Sequence, residues 1–214
     1  MTSRESMLES IRTALGRTAG QAPDALDAPR LRVPPAKPPA IELFASNFER
    51  LGGRTIRVSG QRQVVDAIPA LLEGRRAVAS NSQFLRECGV ADLKHVESGF
   101  TDREQLRAAC AAADIGITSA DYALADTGTL VMLASPQEAR LVSLLPPIHV
   151  AIFPSGRILS GLDELLSVLP NPAGETSSMV LITGPSRTAD IEQILVRGVH
   201  GPGEIWSVMV SEGQ

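Results

Sequence analysis

The sequence has few aromatic residues, two cysteines and no long apolar run. Aromatic side chains make up 3% of the 214 residues, so the core has to be built mainly from Leu, Val, Ile and Ala. No segment approaches the roughly 20 consecutive apolar residues that a membrane-spanning helix needs. The N-terminal segment is charged and amphipathic and lacks the apolar stretch of a signal peptide. We therefore expect a cytoplasmic protein without a membrane span.

The two cysteines, Cys88 and Cys110, argue against a metal centre in this chain. They form no CxxC motif, and neither lies near a cysteine–histidine cluster. This excludes the recognisable zinc and iron–sulfur motifs, and we predict buried free thiols instead. The formal net charge of −4, with acidic and basic residues interspersed, disfavours a nucleic-acid partner, which usually requires a basic face.

Strand and helix patterns alternate through most of the sequence after residue 40. Several predicted strands are continuous apolar runs, such as residues 150–153. Strands of this kind are typical of a parallel sheet that is covered by helices on both faces, so the sequence predicts an α/β fold with a mainly parallel sheet. Two strand-like runs between residues 115 and 134 follow each other without a helix, which predicts a local antiparallel hairpin. Asn81 and Ser82 are predicted to cap the helix that begins at residue 83, and Asp102 the helix that begins at residue 103.

The first 40 residues differ from the rest in composition. Residues 3–15 have apolar side chains at helical spacing, and residues 20–40 are rich in Pro and Ala, which predicts a helix followed by an extended linker. We therefore divide the chain into an N-terminal arm (1–40) and an α/β domain (41–214). The helix either packs on the domain or docks on a partner, such as a second protomer in an oligomer.

Polar residues between Asp121 and Thr129 form the first candidate site, with the sequence DYALADTGT. Asp121 and Asp126 are five positions apart, so an uninterrupted strand would direct them to opposite faces, whereas a kink or bulge near Tyr122 could bring them together. Asp126 beside Thr127, Gly128 and Thr129 is the better catalytic candidate, because a carboxylate stands beside two hydroxyls and a glycine that permits close approach. A hairpin turn in which these side chains satisfy local backbone groups explains the same residues equally well.

A second candidate site begins at Gly184, in the sequence GPSRTADIE. It follows a strand predicted over 178–183 and starts a helix predicted over 186–196. A helix N-terminus at this place offers free amides and a positive dipole end to an anion. We therefore predict that a carboxylate or phosphate binds to Gly184, Pro185, Ser186, Arg187 and Thr188. The Arg187 guanidinium would donate two parallel hydrogen bonds to this anion. The alternative is an ordinary helix cap with a surface arginine, or an Arg187–Asp190 pair.

The glycine-rich loop RGVHGPG supplies a third candidate, His200. Rigid loops at sheet ends commonly line binding sites, so we include His200 among the ligand-binding residues. His149, which enters a strand, is a weaker candidate. The segment that begins at Gly184 is not a Walker loop, and no GxSxG elbow is present. No motif therefore supports a P-loop or serine-hydrolase function.

Four segments resemble the LUD-domain family, and within it the lactate utilization protein C (YkgG-type) branch. They read GITSADYALADTGTLV at 116–131, ARLVSLLPPIHV at 139–150, GPSRTADIE at 184–192 and GVHGP at 198–202. Several long motifs in the same order make this resemblance more specific than any one of them. It runs in register from about residue 41 to residue 210.

The resemblance implies a NagB/RpiA/CoA-transferase-like fold and a part in the oxidation of L-lactate to pyruvate. It also implies two iron–sulfur partner proteins, which would carry the clusters, since no cofactor motif is evident in this chain. The family usually has glutamate where this chain has Asp126. Aspartate keeps the charge but shortens the reach, which suits a ligand or hydrogen-bond acceptor better than a covalent nucleophile.

Three functions stay open from the sequence. The chain is a subunit of a lactate-oxidising system that binds a small carboxylate or phosphate. Alternatively, it is a stand-alone transferase or isomerase in which Asp126 acts as nucleophile or base. The third alternative is a non-catalytic scaffold or regulatory subunit.

Overall fold

The computed structural model describes residues 2–18, 20, 40–188 and 196–211. The chain falls into two compact units, residues 1–31 and 32–214. In the first, helix α1 (Ser3–Ala14) begins with a capping box in which Thr2 and Glu5 bond to each other's backbone amides, at 3.3 and 2.7 Å. The predicted helix is thus confirmed. The predicted linker lies largely outside the described residues, and the domain boundary at residue 40 stays a prediction.

The second unit alternates helices and strands, as the sequence predicts. Its α-helices are α2 Ala40–Arg50, α3 Val64–Leu72, α4 Gln83–Glu87, α5 Arg103–Ala112, α6 Arg140–Leu144, α7 Leu162–Val168 and α8 Pro172–Glu175. Its strands are β1 Arg54–Val58, β2 Ala77–Ala79, β3 Val96–Glu97, β4 Ile115–Ser119, β5 Tyr122–Leu124, β6 Thr129–Leu133, β7 Ile148–Pro154, β8 Ile158–Leu159, β9 Met179–Ile182, β10 Arg187–Thr188, β11 Val196–Arg197 and β12 Glu204–Val210.

The main sheet has six of these strands in the order β1-β12-β7-β4-β2-β3, and every pair in it is parallel. Apolar side chains cover both faces because the central strands are nearly continuous apolar runs. One face, with Ile117 and Ile152, packs against α3 and α4. The opposite face packs against α2 around Phe153 and against α5 and α6 around Val78. The predicted α/β fold with a mainly parallel sheet is confirmed.

A second sheet of four strands, in the order β8-β5-β6-β9, covers part of the α2 face. β5 and β6 form the predicted antiparallel hairpin, with Tyr122 opposite Val131. β4 stays in the main sheet, so the hairpin does not interrupt the parallel order. β9 joins the second sheet antiparallel to β6 and is therefore not the parallel strand that the anion-site prediction required.

The helix predicted over 186–196 is wrong where the structure describes it. β10 pairs antiparallel with β11, so that Arg187 lies opposite Arg197 and Thr188 opposite Val196. The Ser186 amide donates to the Pro202 carbonyl at 2.9 Å, so it is not a free amide at a helix start. Cross-strand pairing thus overrides the local helix pattern; residues 189–195, which include Asp190, lie outside the described residues.

Candidate functional site

The carboxyl ends of β2 and β4 enclose the crevice where a ligand is expected in a sheet of this type. The two strands are neighbours, but the next main-sheet strand after β2 is β3, on one side, and the next after β4 is β7, on the other side. Connections that diverge in this way open a crevice beyond the strand ends, the usual ligand site of open α/β sheets. The residues that follow these strands are Ser80, Asn81 and Ser82 after β2, and Ala120 and Asp121 after β4.

A pocket of about 240 Å³ lies at this end of the sheet. Ser119 contributes from β4, Asp121 from the residues after β4, and Arg157 from the turn that follows β7. Its lining residues are Phe84, Ser119, Ala120, Asp121, Tyr122, Leu133, Pro154, Arg157, Leu169 and Glu175. Hydroxyl, carboxyl and guanidinium groups thus meet beside an apolar wall, which is the composition of a small-molecule site.

A chain of hydrogen bonds connects the pocket to a buried carboxyl group. Ser82 Oγ donates to Ser119 Oγ at 2.9 Å, and Ser119 donates to Glu138 Oε1 through both its hydroxyl and its amide, the latter at 3.1 Å. α4 begins after Ser82, as predicted, but the Ser82 hydroxyl makes no capping bond and serves this chain instead. By contrast, Asp102 does cap α5, accepting from the Gln105 amide at 2.8 Å.

The loop between β6 and α6 directs Glu138 into the interior. The Ser135 hydroxyl accepts from the Gln137 and Glu138 amides, at 3.2 and 3.0 Å. The Gln137 carbonyl accepts from the Asn81 amide at 2.9 Å, which ties this loop to the end of β2. The side chain of Glu138 therefore reaches the ends of β2 and β4 and is only 9% exposed.

Burial raises the pKa of the Glu138 carboxyl above its ordinary value. Hydrogen bonds from Ser119 and the nearness of the Ser80 hydroxyl offset part of this effect, and the charge of Asp121 adds to it. Ser80 is close enough to influence the carboxyl, but the pair lies outside hydrogen-bonding geometry. As a result, Glu138 Oε2 and Ser80 Oγ are both buried without a hydrogen-bond partner among the described residues.

Asp121 is the second acid of the crevice, and the Arg157 guanidinium lies close to it. Its Oδ2 accepts from the Leu133 amide at 2.7 Å, which ties the end of β6 to the start of β5. Burial raises the pKa of Asp121, while the Leu133 amide and the positive charge of Arg157 work in the opposite direction. The guanidinium carbon of Arg157 lies 5.5 Å from the centre of the Tyr122 ring, a cation–π contact that orients it.

The residues of the first sequence candidate lie in the turn between β5 and β6. Thr129 donates to Thr127 at 2.8 Å, and Thr127 donates to Asp126 at 3.2 Å. Thr183 lies 2.8 Å from Thr129 and is the donor of that pair, because the Thr129 hydrogen is already used. Three hydroxyls thus lead to the Asp126 carboxylate. Asp121 and Asp126 stand at opposite ends of β5 and form no acid–base pair.

Close packing surrounds the same turn. Gly128 has φ +65°, and a Cβ there would lie 2.7 Å from the Asn47 carbonyl carbon. Gly161, at the start of α7, faces the Asp126 carboxylate, because a Cβ on it would lie 3.0 Å from Asp126 Cγ. The Asn47 amide donates to the Ala125 and Asp126 carbonyls, at 2.8 and 3.0 Å. These contacts give the turn a structural function, and the catalytic role of Asp126 stays a prediction.

The second sequence candidate lies beside the C-terminus of α2. The Arg187 guanidinium is exposed and donates to the Leu51 carbonyl, and a Cβ on Gly184 would lie 3.1 Å from Leu51 Cβ. Thr183 joins this segment to the turn that contains Thr129. Without the predicted helix, the structural reason for an anion site at Gly184, Pro185, Ser186, Arg187 and Thr188 is lost. Their role in ligand binding stays a prediction.

The structure separates the two candidate histidines. His200 is exposed in its loop, and its role in ligand binding is likewise still a prediction. His149 is fully buried in β7, with Nε2 2.8 Å from the Thr118 hydroxyl, and burial lowers its pKa to about 4. Burial and the contact with Thr118 fix the ring inside the sheet.

The sequence interpretation missed Ser119, Glu138 and Arg157 as site residues. Ser135 and Glu138 have the S-x-x-E spacing of a capping box, which would place the glutamate on a helix surface. The Ser135 hydroxyl does accept from the Glu138 amide, but α6 starts only at Arg140, so the carboxyl turns inward. No local signal distinguishes these two outcomes.

The fold and these motifs belong to a known class of proteins. The LUD domain family matches residues 41–210, and the chain belongs to this family. It is 30% identical over 225 residues to "Lactate utilization protein C" of Halalkalibacterium halodurans, covering 98% of both chains. It is 29% identical over 221 residues to "Lactate utilization protein C 1" of Bacillus mycoides, covering 93% of both.

A solved structure supports the fold independently. A DUF162 family protein from Deinococcus radiodurans superposes with a TM-score of 0.61 at 19% identity, over 80% of this chain and 96% of that one. In the described ranges, no helix combines the length and apolar character of a membrane span. Nor do these residues bring three or more His, Cys, Asp or Glu side chains together as a metal site.

Proposed function

We propose that this chain is a subunit of a lactate-utilization system and binds a small carboxylate in the pocket between Ser119 and Arg157. The names of its relatives support the biological role, since the similarity extends over nearly the whole chain. The observation that carries the binding proposal is the position of Arg157, a guanidinium at the carboxyl ends of the parallel strands. Arginine matches the planar geometry of a carboxylate through paired hydrogen bonds.

The size of the pocket favours a ligand of a few heavy atoms. Its volume of about 240 Å³ lies below the roughly 300 Å³ at which pockets for drug-sized ligands begin. A three-carbon acid such as lactate or pyruvate suits this space, whereas a dinucleotide or an acyl-coenzyme A would extend far beyond it. The hydroxyl of a bound lactate can then donate to the Ser119 oxygen, whose own hydrogen is donated to Glu138.

Oxidation of lactate to pyruvate removes two electrons and requires an acceptor. We assign that acceptor to the iron–sulfur partner proteins that the family resemblance implies. The proposed role of this chain is therefore to hold the carboxylate while a partner takes the electrons. A cytoplasmic location belongs to the same proposal, and cell fractionation tests it.

Direct binding measurements test the pocket. Calorimetry or ligand-observed NMR should show binding of L-lactate and pyruvate, and Arg157→Gln should weaken it about tenfold or more, since a hydrogen bond to a charged group contributes roughly 1.5–3 kcal/mol. Arg103→Gln, on the exposed side of α5, is the matched control and should bind as the wild type does. Equal affinity in all three proteins would refute the role of Arg157.

Reconstitution tests the role as a subunit. Co-expression should yield a complex with the iron–sulfur proteins, and lactate oxidation should require both components. Turnover of lactate by the isolated chain would contradict this division of labour. An unchanged oxidation rate in a system without this chain would contradict the proposed function as a whole.

A further inference from the structure

The binding proposal leaves the Glu138 carboxyl behind the pocket without a role. It is 9% exposed, and the neighbouring Ser80 is 5% exposed. Glu138 Oε1 accepts two hydrogen bonds from Ser119, whereas Glu138 Oε2 and Ser80 Oγ make none among the residues described. Buried polar atoms without partners are rare in folded proteins, because each has lost water without compensation.

A bond between Glu138 and Ser80 is available in either protonation state of the carboxyl. An ionised carboxylate only accepts hydrogen bonds, whereas a protonated carboxyl also donates one. The Ser80 hydroxyl can donate to an ionised Oε2 or accept from a protonated one, so the pair does not by itself select the neutral form. Ser80 lowers the pKa of Glu138, but burial of the carboxyl outweighs that effect and favours the neutral form.

The charges around Glu138 also favour the neutral form. Asp121 is the charged group that acts on it through space, and Arg157 acts on Asp121 in turn. Glu175 is a further acid that lines the pocket, and Arg157 is its only arginine or lysine among the residues described. Arg140, near Glu138 in sequence, donates instead to the Ser178 hydroxyl at 3.4 Å. A bound carboxylate adds one more negative charge to this group.

We propose that Glu138 is the proton site of the pocket: it takes up one proton from solvent when a small carboxylate binds in front of Ser119, and releases it when the carboxylate leaves. The inference rests on the proposed function, because it requires an anion in that pocket. Ser119 is the connection between the two, since it lines the pocket and donates to Glu138. Glu138 acts as a positioning residue, through Ser119 and through its charge.

Linked protonation has a measurable consequence for affinity. An anion that favours protonated Glu138 raises the pKa of this carboxyl in the complex above its value in the free protein. Between these two pKa values, the dissociation constant should rise by about tenfold for each pH unit, the limit for one linked proton. Below both values, affinity should not depend on pH.

Calorimetry on the wild-type protein is the first test. Binding of L-lactate and of pyruvate is measured from pH 6 to pH 9, at each pH in two phosphate-free buffers whose ionisation enthalpies differ. The difference in heat gives the number of protons exchanged, and the proposal requires net uptake that approaches one at its maximum. Binding without proton uptake at any pH in this range overturns it.

Two variants then assign the proton. Glu138→Gln imitates the neutral form, so it should bind the carboxylate with no proton uptake and with affinity independent of pH. Asp121→Asn should retain the uptake, and Glu175→Gln is the matched control for the loss of a pocket acid. Uptake that persists in Glu138→Gln, or disappears only in Asp121→Asn, refutes the assignment to Glu138.

Failure of the binding proposal can be distinguished from failure of this inference. Carbon-13 NMR of the Glu138 side-chain carboxyl reports its titration in the free protein, without any ligand. A raised titration midpoint without carboxylate binding would refute the binding proposal but would confirm the raised pKa of Glu138. An ordinary glutamate midpoint rejects the inference, whatever binds in the pocket.

Discussion

At the scale of single residues, Glu138 and Asp126 are two carboxyl groups in contrasting surroundings. Asp126 is half-buried and accepts a hydrogen bond from the last of three consecutive threonine hydroxyls. Glu138 ends a similar chain of serine hydroxyls, but it is buried and one of its oxygens has no partner among the described residues. The difference in burial makes Glu138 the group whose charge is costly.

The raised pKa of Glu138 predicts that it reduces stability at alkaline pH. A carboxyl whose pKa is higher in the folded state than in the unfolded state favours folding while it is protonated. That contribution is complete below the ordinary glutamate pKa and is lost as pH rises through the folded-state value. Glu138→Gln should therefore melt at a higher temperature than the wild type at pH 8 and at the same temperature near pH 4.

Calorimetric melting curves across this range measure the effect, and 1 kcal/mol corresponds to about 2–4 °C for a domain of this size. Glu97→Gln is a suitable control, because Glu97 is exposed and pairs with Arg76 on the surface. A melting difference between Glu138→Gln and wild type that does not change with pH would show that ionisation of Glu138 does not affect stability.

At the scale of elements, hydrogen bonds from the Asn47 side chain hold α2 against the second sheet. The Asn47 amide donates to two consecutive carbonyls of the β5–β6 turn. The turn has no room for a side chain at Gly128, so helix and turn are in direct backbone contact. This contact also positions the residues from Asp126 to Thr129.

Removal of the two Asn47 hydrogen bonds should destabilise the domain. Asn47→Ala leaves two carbonyls without their donor, which should lower the free energy of unfolding by about 1–3 kcal/mol. Ser46→Ala, at the exposed neighbouring position of the same helix, should change it by less than about 0.5 kcal/mol. Urea unfolding curves compare the two variants. Equal midpoints would show that the Asn47 hydrogen bonds do not contribute to stability.

At the scale of the whole molecule, separate apolar clusters cover the two faces of the main sheet. Cys88 lies in the cluster under α3 and α4, and Cys110 in the cluster under α5 and α6. Both thiols are free and buried, as predicted, and burial raises their pKa values to about 11. Their reactivity therefore depends on opening of the fold.

The native protein should react only slowly with a thiol reagent such as DTNB at pH 8, because a thiolate is the reactive form. In concentrated urea, both thiols should react rapidly. The variants Cys88→Ser and Cys110→Ser assign the two native rates, and a large difference would show that one face of the sheet opens before the other. Rapid reaction of one thiol in the native wild type would contradict its burial.

The elements that the sequence predicts well are those with strong local patterns. The strand β7 contains the apolar run 150–153, α5 has a cap at Asp102, and the hairpin at β5 and β6 follows from two strand patterns without a helix between them. Each depends on neighbours in sequence. The segment after Gly184 failed because pairing of Arg187 with Arg197 and of Ser186 with Pro202, both distant in sequence, replaced the local helix pattern.

By itself, the sequence determined the class of fold, the buried cysteines and the membership in a family, because hydrophobic patterns and motifs are local properties. Only the tertiary structure decided where the crevice opens, since that depends on which strands become neighbours. The same is true of Glu138: its spacing from Ser135 is that of a surface helix cap. A loop tied to Asn81 turns it inward, beneath the ends of β2 and β4, where burial and the Ser119 hydroxyl govern its charge.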